Sequence, residues 1–599
     1  DILERPENPV EVVVSGPCYF CVLRPTCQVG GDVGVWLSDL MSSNCQVLPD
    51  HVGLTWEQES ESDVDVGASA PIPAEIGISL DSSSECEEAE PKKVVEAAKE
   101  EQREGKAMVE KMAMWFSELK ATRPEILRAV PAWCVLQSCG KHLNSKLTMT
   151  EKARLYAFSE QVEEIDEFWS HSWHGRSSWK VWSLLFVKNS HAALIISYFL
   201  AALMALFFAL GLLPGWVKMS NYAPNEPHAY CVWSLVTGVL SYVLVIIFWR
   251  PRSKVFVDLF CIHQANPRLK AEGLLSLGAI LKKSKAMLVM WDETYLKRLW
   301  CVFELAAFLQ SHRAEGFRAG SLLFKPIILA PATFANIMMF CLLTGLDLSP
   351  FVETLTNPFV RFSLVFLSVS VVVCPLLIWS RSMTTLKNQL ESFSVAETRC
   401  HCCDSNHVDS NGEAVDCDRE IIMITICNWF GSVESFEEAV RVDVQRELQK
   451  QLGVSPFGFS WIIHAGLPVL LTQVFEKPAA IFRYGDTSWS LAIAFAGIAW
   501  YVLIVPINFG SVEFLVRKTH ETTWGRGCGG TSLLVFAGGC VYLSCHVIYF
   551  LCMESFDPLL GALIFFLIAA LVFTLIWCKK RCWVKRQELE DNLLFFPAG

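Results

Sequence analysis

The sequence of 599 residues has little charge. Asp, Glu, Lys and Arg make up 19% of it, and 50 basic residues face 62 acidic ones, a net charge of −12. No basic face is visible of the kind that tracks a phosphate backbone, which excludes a nucleic-acid binder. A repeated C-x2-C framework is also lacking. The 23 cysteines are scattered, many of them inside apolar segments. That excludes a secreted disulfide scaffold and fits reduced thiols in a cytosol-facing membrane protein. Charges are scarce within the apolar runs as well. Arg361 sits near the end of one, His464 and His546 stand alone, and no inverted repeat or ion-coordinating carboxylate stands out. A channel or transporter with a regulatory domain is therefore a further alternative rather than the first reading.

What is abundant is apolar surface: 52% hydrophobic residues, 12% aromatics and a mean hydropathy of +0.35. This is too apolar for a soluble chain of this length and implies a multi-pass protein of the lipid bilayer. A spanning helix needs about 20 apolar residues. Segments 191–213, 230–249, 358–379, 488–509, 532–553 and 558–578 qualify, and 332–346 and 459–475 are shorter or interrupted, for an expected count of eight. The tail after Cys578 and the loop 510–531 are basic, whereas 347–357 and 554–557 carry no Lys or Arg. An eight-span chain places every basic loop, and the polar segments 250–331 and 380–458, on one side, read as cytosolic.

The organisation follows. Residues 1–90 are acidic and read as poorly ordered, apart from the strand-like run 10–14 and a lone Cys18-x2-Cys21. Residues 91–150 form a helical arm whose i,i+4 charge pairs read as a solvated or coiled-coil-like face. The first part of an α/β domain is 151–190, a membrane hairpin is 191–249, and the second part of the domain is 250–331. A membrane pair (332–379), a Cys-rich helical segment (380–458), four more spans (459–578) and a basic tail (579–599) complete the chain. In the domain, 165–173, 254–260, 286–291 and 321–329 read as strands, and 179–190, 265–284 and 295–309 as helices. Alternation of this kind implies a parallel sheet covered on both faces.

Ligands of such sheets sit beyond the carboxyl ends of the strands. Ser170, His171, Asp258 and His263 fall there, and so does Glu304, the one carboxylate on the apolar helix YLKRLWCVFELAAFL. A lone carboxylate on an apolar face calls for a partner or a crevice. Pairing with Arg298 or Lys297, or capping a loop, is the structural alternative.

The runs EFWSHSW and VFVDLFCIHQ, and above all YLKRLWCVFE, resemble a TIR or TIR-like domain. Trp300, Cys301 and Glu304 match its Trp-Cys-x-x-Glu helix in type and spacing. The layout is also similar to multi-pass TIR-like proteins of algal protists. The resemblance implies a flavodoxin-like α/β domain, here with an inserted membrane hairpin, acting as a signalling or interaction module with homotypic partners. In members that cleave NAD, the glutamate at this place is catalytic. Glu304 inherits that candidacy, with Ser170, His171, Asp258, His263 and Trp300 as candidate contacts to NAD as substrate. A carboxylate suits the oxocarbenium-like state of such glycosidic cleavage.

The run CHCCDSNHVDSNGEAVDC (400–417) offers Cys400, Cys402, Cys403, His407 and Cys417 as candidate zinc ligands, with a Cys-bearing loop as the alternative. Beyond it the chain reads as helical, broken at Gly431-Ser432, with Ser435 capping the next helix opposite Glu438.

Overall fold

The computed structural model describes residues 91–144, 147–172, 177–219, 227–313, 320–347, 378, 381–408, 417–452, 458–484, 487–520 and 528–594. The run 10–14, the Cys18–Cys21 pair, the 358–379 span and the tip of the cysteine loop lie outside these residues.

Among the described residues, eight strands are formed: β1 (Arg128–Pro131), β2 (Glu160–Gln161), β3 (Ile165–His171), β4 (Trp216–Met219), β5 (Pro227–Tyr230), β6 (Lys254–Phe256), β7 (Ser284–Trp291) and β8 (Leu322–Pro326). β4 and β5 make a separate hairpin, and the rest form one mixed sheet in the order β2-β1-β6-β3-β7-β8. β6, β3, β7 and β8 run parallel, and β1 joins β6 and β2 antiparallel. β3 is central, with Phe168 opposite both Phe256 and Met287. β7 is buried from Met287 to Trp291, as expected of a strand covered on both faces.

Several expectations change. The apolar run 254–260 is a strand only to Phe256, after which Asp258–Cys261 winds into a helical turn. The Asp258 carboxylate accepts the Leu259 amide at 2.7 Å, a local bond that favours a turn over a ladder. The 265–284 helix is two helices, Pro267–Leu275 and Leu277–Lys282, divided at Ser276. Ser276 spends its hydroxyl on the Thr122 amide at 3.0 Å.

The arm is not a solvated element. In helix Pro91–Ser117, Val109, Met112, Ala113 and Phe116 are buried. Their i, i+3, i+4, i+7 spacing makes one apolar face. That face packs on helix Asp418–Phe430, and Phe116 meets Phe303 edge-on at 5.2 Å. Helix Val433–Ala439 is capped by Ser432, not Ser435: its hydroxyl accepts the Ser435 amide at 3.1 Å, after Gly431 turns the chain at φ 85°.

Among the described residues, four helical stretches are long and apolar enough to cross a membrane: Ser177–Ala209, Thr487–Ser511, Phe536–Ser555 and Pro558–Ile576. Apolar helices Trp233–Phe248 and Leu329–Leu342 are shorter. The expected 459–475 span lies within a bent stretch, 458–484, interrupted at Gly466 and passing through a wide turn at Leu471–Glu476. An exposed apolar stripe runs along helix Trp233–Phe248 through Val236, Leu240, Leu244 and Phe248, at strict i,i+4 spacing.

The domain crossover and the first span are one continuous 33-residue helix, Ser177–Ala209. Asn189, near the expected end of the domain helix, donates to the Ile246 and Trp249 carbonyls at 2.8 and 3.3 Å and ties off the returning helix. β6 begins five residues after Trp249, so the sheet sits directly against the end of the hairpin. Ser183 reinforces the junction by donating to the Ile327 carbonyl at 2.8 Å and accepting the Ala330 amide at 3.2 Å.

Candidate active site and metal centre

Helix Leu299–His312 follows β7 and carries the signature residues. From Leu299 to Leu309 every residue is buried except Glu304, which keeps part of its surface. Its place among apolar neighbours is explained by what lies at its tip. The carboxylate accepts the hydroxyl of Ser170, near the carboxyl end of β3. The Ser170 oxygen in turn lies 2.7 Å from the hydroxyl of the fully buried Tyr295, beyond the end of β7. With its proton on Glu304, Ser170 accepts from Tyr295, giving a chain from Tyr295 through Ser170 to Glu304. Among the described residues no cation forms an ion pair with Glu304. Burial pushes its carboxyl up to about 8, opposed by the Ser170 bond and reinforced by the charge of Asp258.

The strand order explains the convergence. The connection from β3 leads to β6 on one side, and the chain then crosses to β7 on the other. The β3–β7 boundary is thus the topological switch point of the parallel strands, the place where α/β sheets generally bind ligands. Ser170, Tyr295 and Glu304 meet there.

A second polar group lies beside it. Lys180, on the first turn of helix Ser177–Ala209, is buried 3.5 Å from buried Asp292 and donates to the Ser172 carbonyl. Asp292 also accepts the Thr294 amide at 2.9 Å, and Thr294 and Ser172 share a hydroxyl contact at 2.7 Å. Burial lowers the Lys180 ammonium, while Asp292 acts to raise it. Lys180 was legible as the lone charge in the run SSWKVWSLLF after the first strand.

Other candidates are placed differently. His171 ends β3, and its carbonyl accepts the Cys301 thiol at 3.7 Å. Its ring is lowered to about 3, mainly by burial and then by the Lys180 charge, so it is neutral. The His263 ring lies against Tyr156 in a tilted contact with centroids 4.7 Å apart, and its Nδ1 accepts the Asn266 amide at 3.0 Å, ordering the cap of the next helix. Trp300 turns from the crevice and donates its indole N–H to Asp418 at 3.1 Å.

That bond leads to the second site. Cys402, Cys403, His407 and Cys417 place one ligand atom each within 4.8 Å of one another, and this cluster could bind a metal such as zinc. Cys400 falls in an overlapping group with Cys402 and Asp418. Asp418 is the member that the sequence reading missed. The geometry is built locally. Asn406 and His407 adopt left-handed conformations (φ 54° and 59°) that end the short helix His401–Asp404, and the His407 amide returns to the Cys402 carbonyl at 2.7 Å. The Cys417 thiol is pushed up to about 12, by its contact with Cys402 first and then by burial.

In the apolar helices, Glu476 is a carboxylate that the sequence reading passed over. It is 1% exposed, neither oxygen makes a hydrogen bond, and its neighbours include the Cys231 thiol and the amides of Leu235 and Ser234 at the start of helix Trp233–Phe248.

No family model, curated protein or solved structure matches this chain.

Proposed function

We propose that this is a multi-pass membrane protein presenting a cytosolic TIR-like signalling domain, and that the domain cleaves NAD at the crevice holding Glu304. The observation that carries the reading is the placement of Glu304. It is the one residue from Leu299 to Leu309 that keeps part of its surface, its carboxyl meets Ser170 at the switch point of the sheet, and no described cation neutralises it. The parallel order of second, first, third and fourth strands supports a flavodoxin-like frame.

Glu304 contacts the nicotinamide-bearing ribose in this reading. The free carboxyl carries a proton through much of the neutral range. The charge of a cationic nicotinamide ring beside it favours the ionised form, the proton passes to solvent water, and the resulting carboxylate stabilises positive charge as the glycosidic bond breaks. Ser170 and Tyr295 hold the carboxyl in register, and water receives the ribosyl carbon. Zinc is the ion we assign to the cluster at Cys402, Cys403, His407 and Cys417, away from the reacting bond.

The test is nicotinamide release from NAD by the purified full chain. Release by the wild type that rises from pH 6 to pH 8.5 and is lost in Glu304→Gln supports the reading. No release by the wild type rejects cleavage and leaves a signalling domain that acts by contact alone.

A further inference from the structure

We infer that Cys402, Cys403, His407 and Cys417 form a structural zinc site whose occupancy clamps the Glu304 helix in place. The clamp rests on the zinc assignment above, but not on NAD being cleaved.

The distances support a tetrahedral site. Zinc–sulfur bonds of about 2.3 Å set sulfur atoms about 3.8 Å apart at the corners of a tetrahedron. The sulfurs of Cys403 and Cys417 are 3.7 Å apart, and those of Cys402 and Cys403 are 4.0 Å apart. These are far from the roughly 2.05 Å of a disulfide. Cys400 lies 3.1 Å from Cys402, too close to share a tetrahedral edge with it, and 3.9 Å from the Asp418 carboxylate. It is therefore a neighbour, not a ligand. The Nε2 of His407 is buried without a hydrogen bond, a cost that coordination removes. Binding releases the three thiol protons, leaving three thiolates and a neutral imidazole around the dication.

Three contacts connect this site to the Glu304 helix. Asp418, the residue after Cys417, accepts the Trp300 indole, four residues before Glu304. Arg399 pairs along the backbone just ahead of that helix: its amide donates to the Lys297 carbonyl at 2.7 Å, and its carbonyl accepts the Leu299 amide at 3.1 Å. Trp429 stacks on Phe303 at 5.6 Å. Two of the contacting residues flank the ligands in the chain, Arg399 three residues before Cys402 and Asp418 directly after Cys417. Without the ion, only weak thiol contacts join Cys403 to Cys417 across fourteen residues.

The experiment uses the full chain purified in detergent, with metal content and amide exchange measured on the same samples. The wild type should hold about one zinc per chain, and so should Cys400→Ser. Cys402→Ser/Cys417→Ser should hold none, and exchange across 299–308 should rise at least tenfold. Should the double variant not fold, the wild type treated with a chelator and then resupplied with zinc gives the same comparison, with protection lost and regained. A metal-free wild type overturns the site. Zinc retained by the double variant overturns the ligand set. Zinc removed from the wild type with exchange at 299–308 unchanged overturns the clamp while leaving the zinc assignment standing.

Discussion

Replacing Glu304 with Gln tests the raised carboxyl directly, because Gln keeps the shape and still accepts the Ser170 hydroxyl but cannot ionise. The carboxyl sits at about 8 against an ordinary 4.5. The folded state therefore holds this proton more tightly than the open state. The stability linked to it is fully present below about pH 4.5 and is lost as pH rises through 8. At 1.36 kcal/mol per pH unit the whole displacement is a ceiling of about 5 kcal/mol. About 2.5 kcal/mol of that falls between pH 6 and pH 8.5, close to a hundredfold in local opening. Amide exchange of helix Leu299–His312 reads it when wild type and Glu304→Gln are compared at the same pH, since the intrinsic exchange rates then cancel. The wild type should lose protection relative to the variant by at least tenfold between pH 6 and pH 8.5. A ratio that stays constant over that interval refutes the buried, cation-free carboxyl.

Other predictions follow from the packing and the charge pattern. Gly497→Ala should destabilise the helical bundle by about 1–3 kcal/mol, because a Cβ there would lie 2.4 Å from the Gln473 carbonyl oxygen; proteolysis of the detergent-solubilised protein should show faster cleavage, and unchanged resistance would reject that close approach. Ser183→Ala should cost about 1–3 kcal/mol by leaving the Ile327 carbonyl and Ala330 amide without their shared partner, read as a lower midpoint of thermal unfolding. In sealed vesicles, Cys427 and the exposed Cys578 should react with a membrane-impermeant thiol reagent from the same side. Labelling from opposite sides would defeat the topology.

The legible parts of the fold were those in which local pattern and tertiary packing agree. β7 holds a continuous apolar run from Ala286 to Trp291 and β3 and β8 carry short apolar stretches, and Glu304 stood out as a carboxylate on an apolar helix. Elsewhere a residue served a distant partner. The domain helix 179–190 and the span from 191 read as two elements, yet they are one unbroken helix from within which Asn189 bonds the end of helix Trp233–Phe248. The arm helix carries enough charge to suggest solvent on all sides. Val109, Met112, Ala113 and Phe116 nevertheless form a buried face against helices far away in sequence. β1 and β2 are too short for a periodic signal, and antiparallel pairing at the sheet edge is a tertiary matter. Asp418 reads as an ordinary first-turn helix acid until Trp300 and Cys400 are seen beside it. Glu476 lies one residue beyond the apolar window 459–475, and its setting depends on the start of another helix.

The central claim is that the crevice around Glu304 receives NAD, and the most direct measurement is a footprint on the Glu304→Gln protein, which should hold the dinucleotide without consuming it. Amide exchange with and without saturating NAD should slow at 168–172 and 292–304, where Ser170, Tyr295 and position 304 converge, and should not change in the apolar stretch Thr487–Ser511. Unchanged exchange at 168–172 and 292–304 would contradict the account.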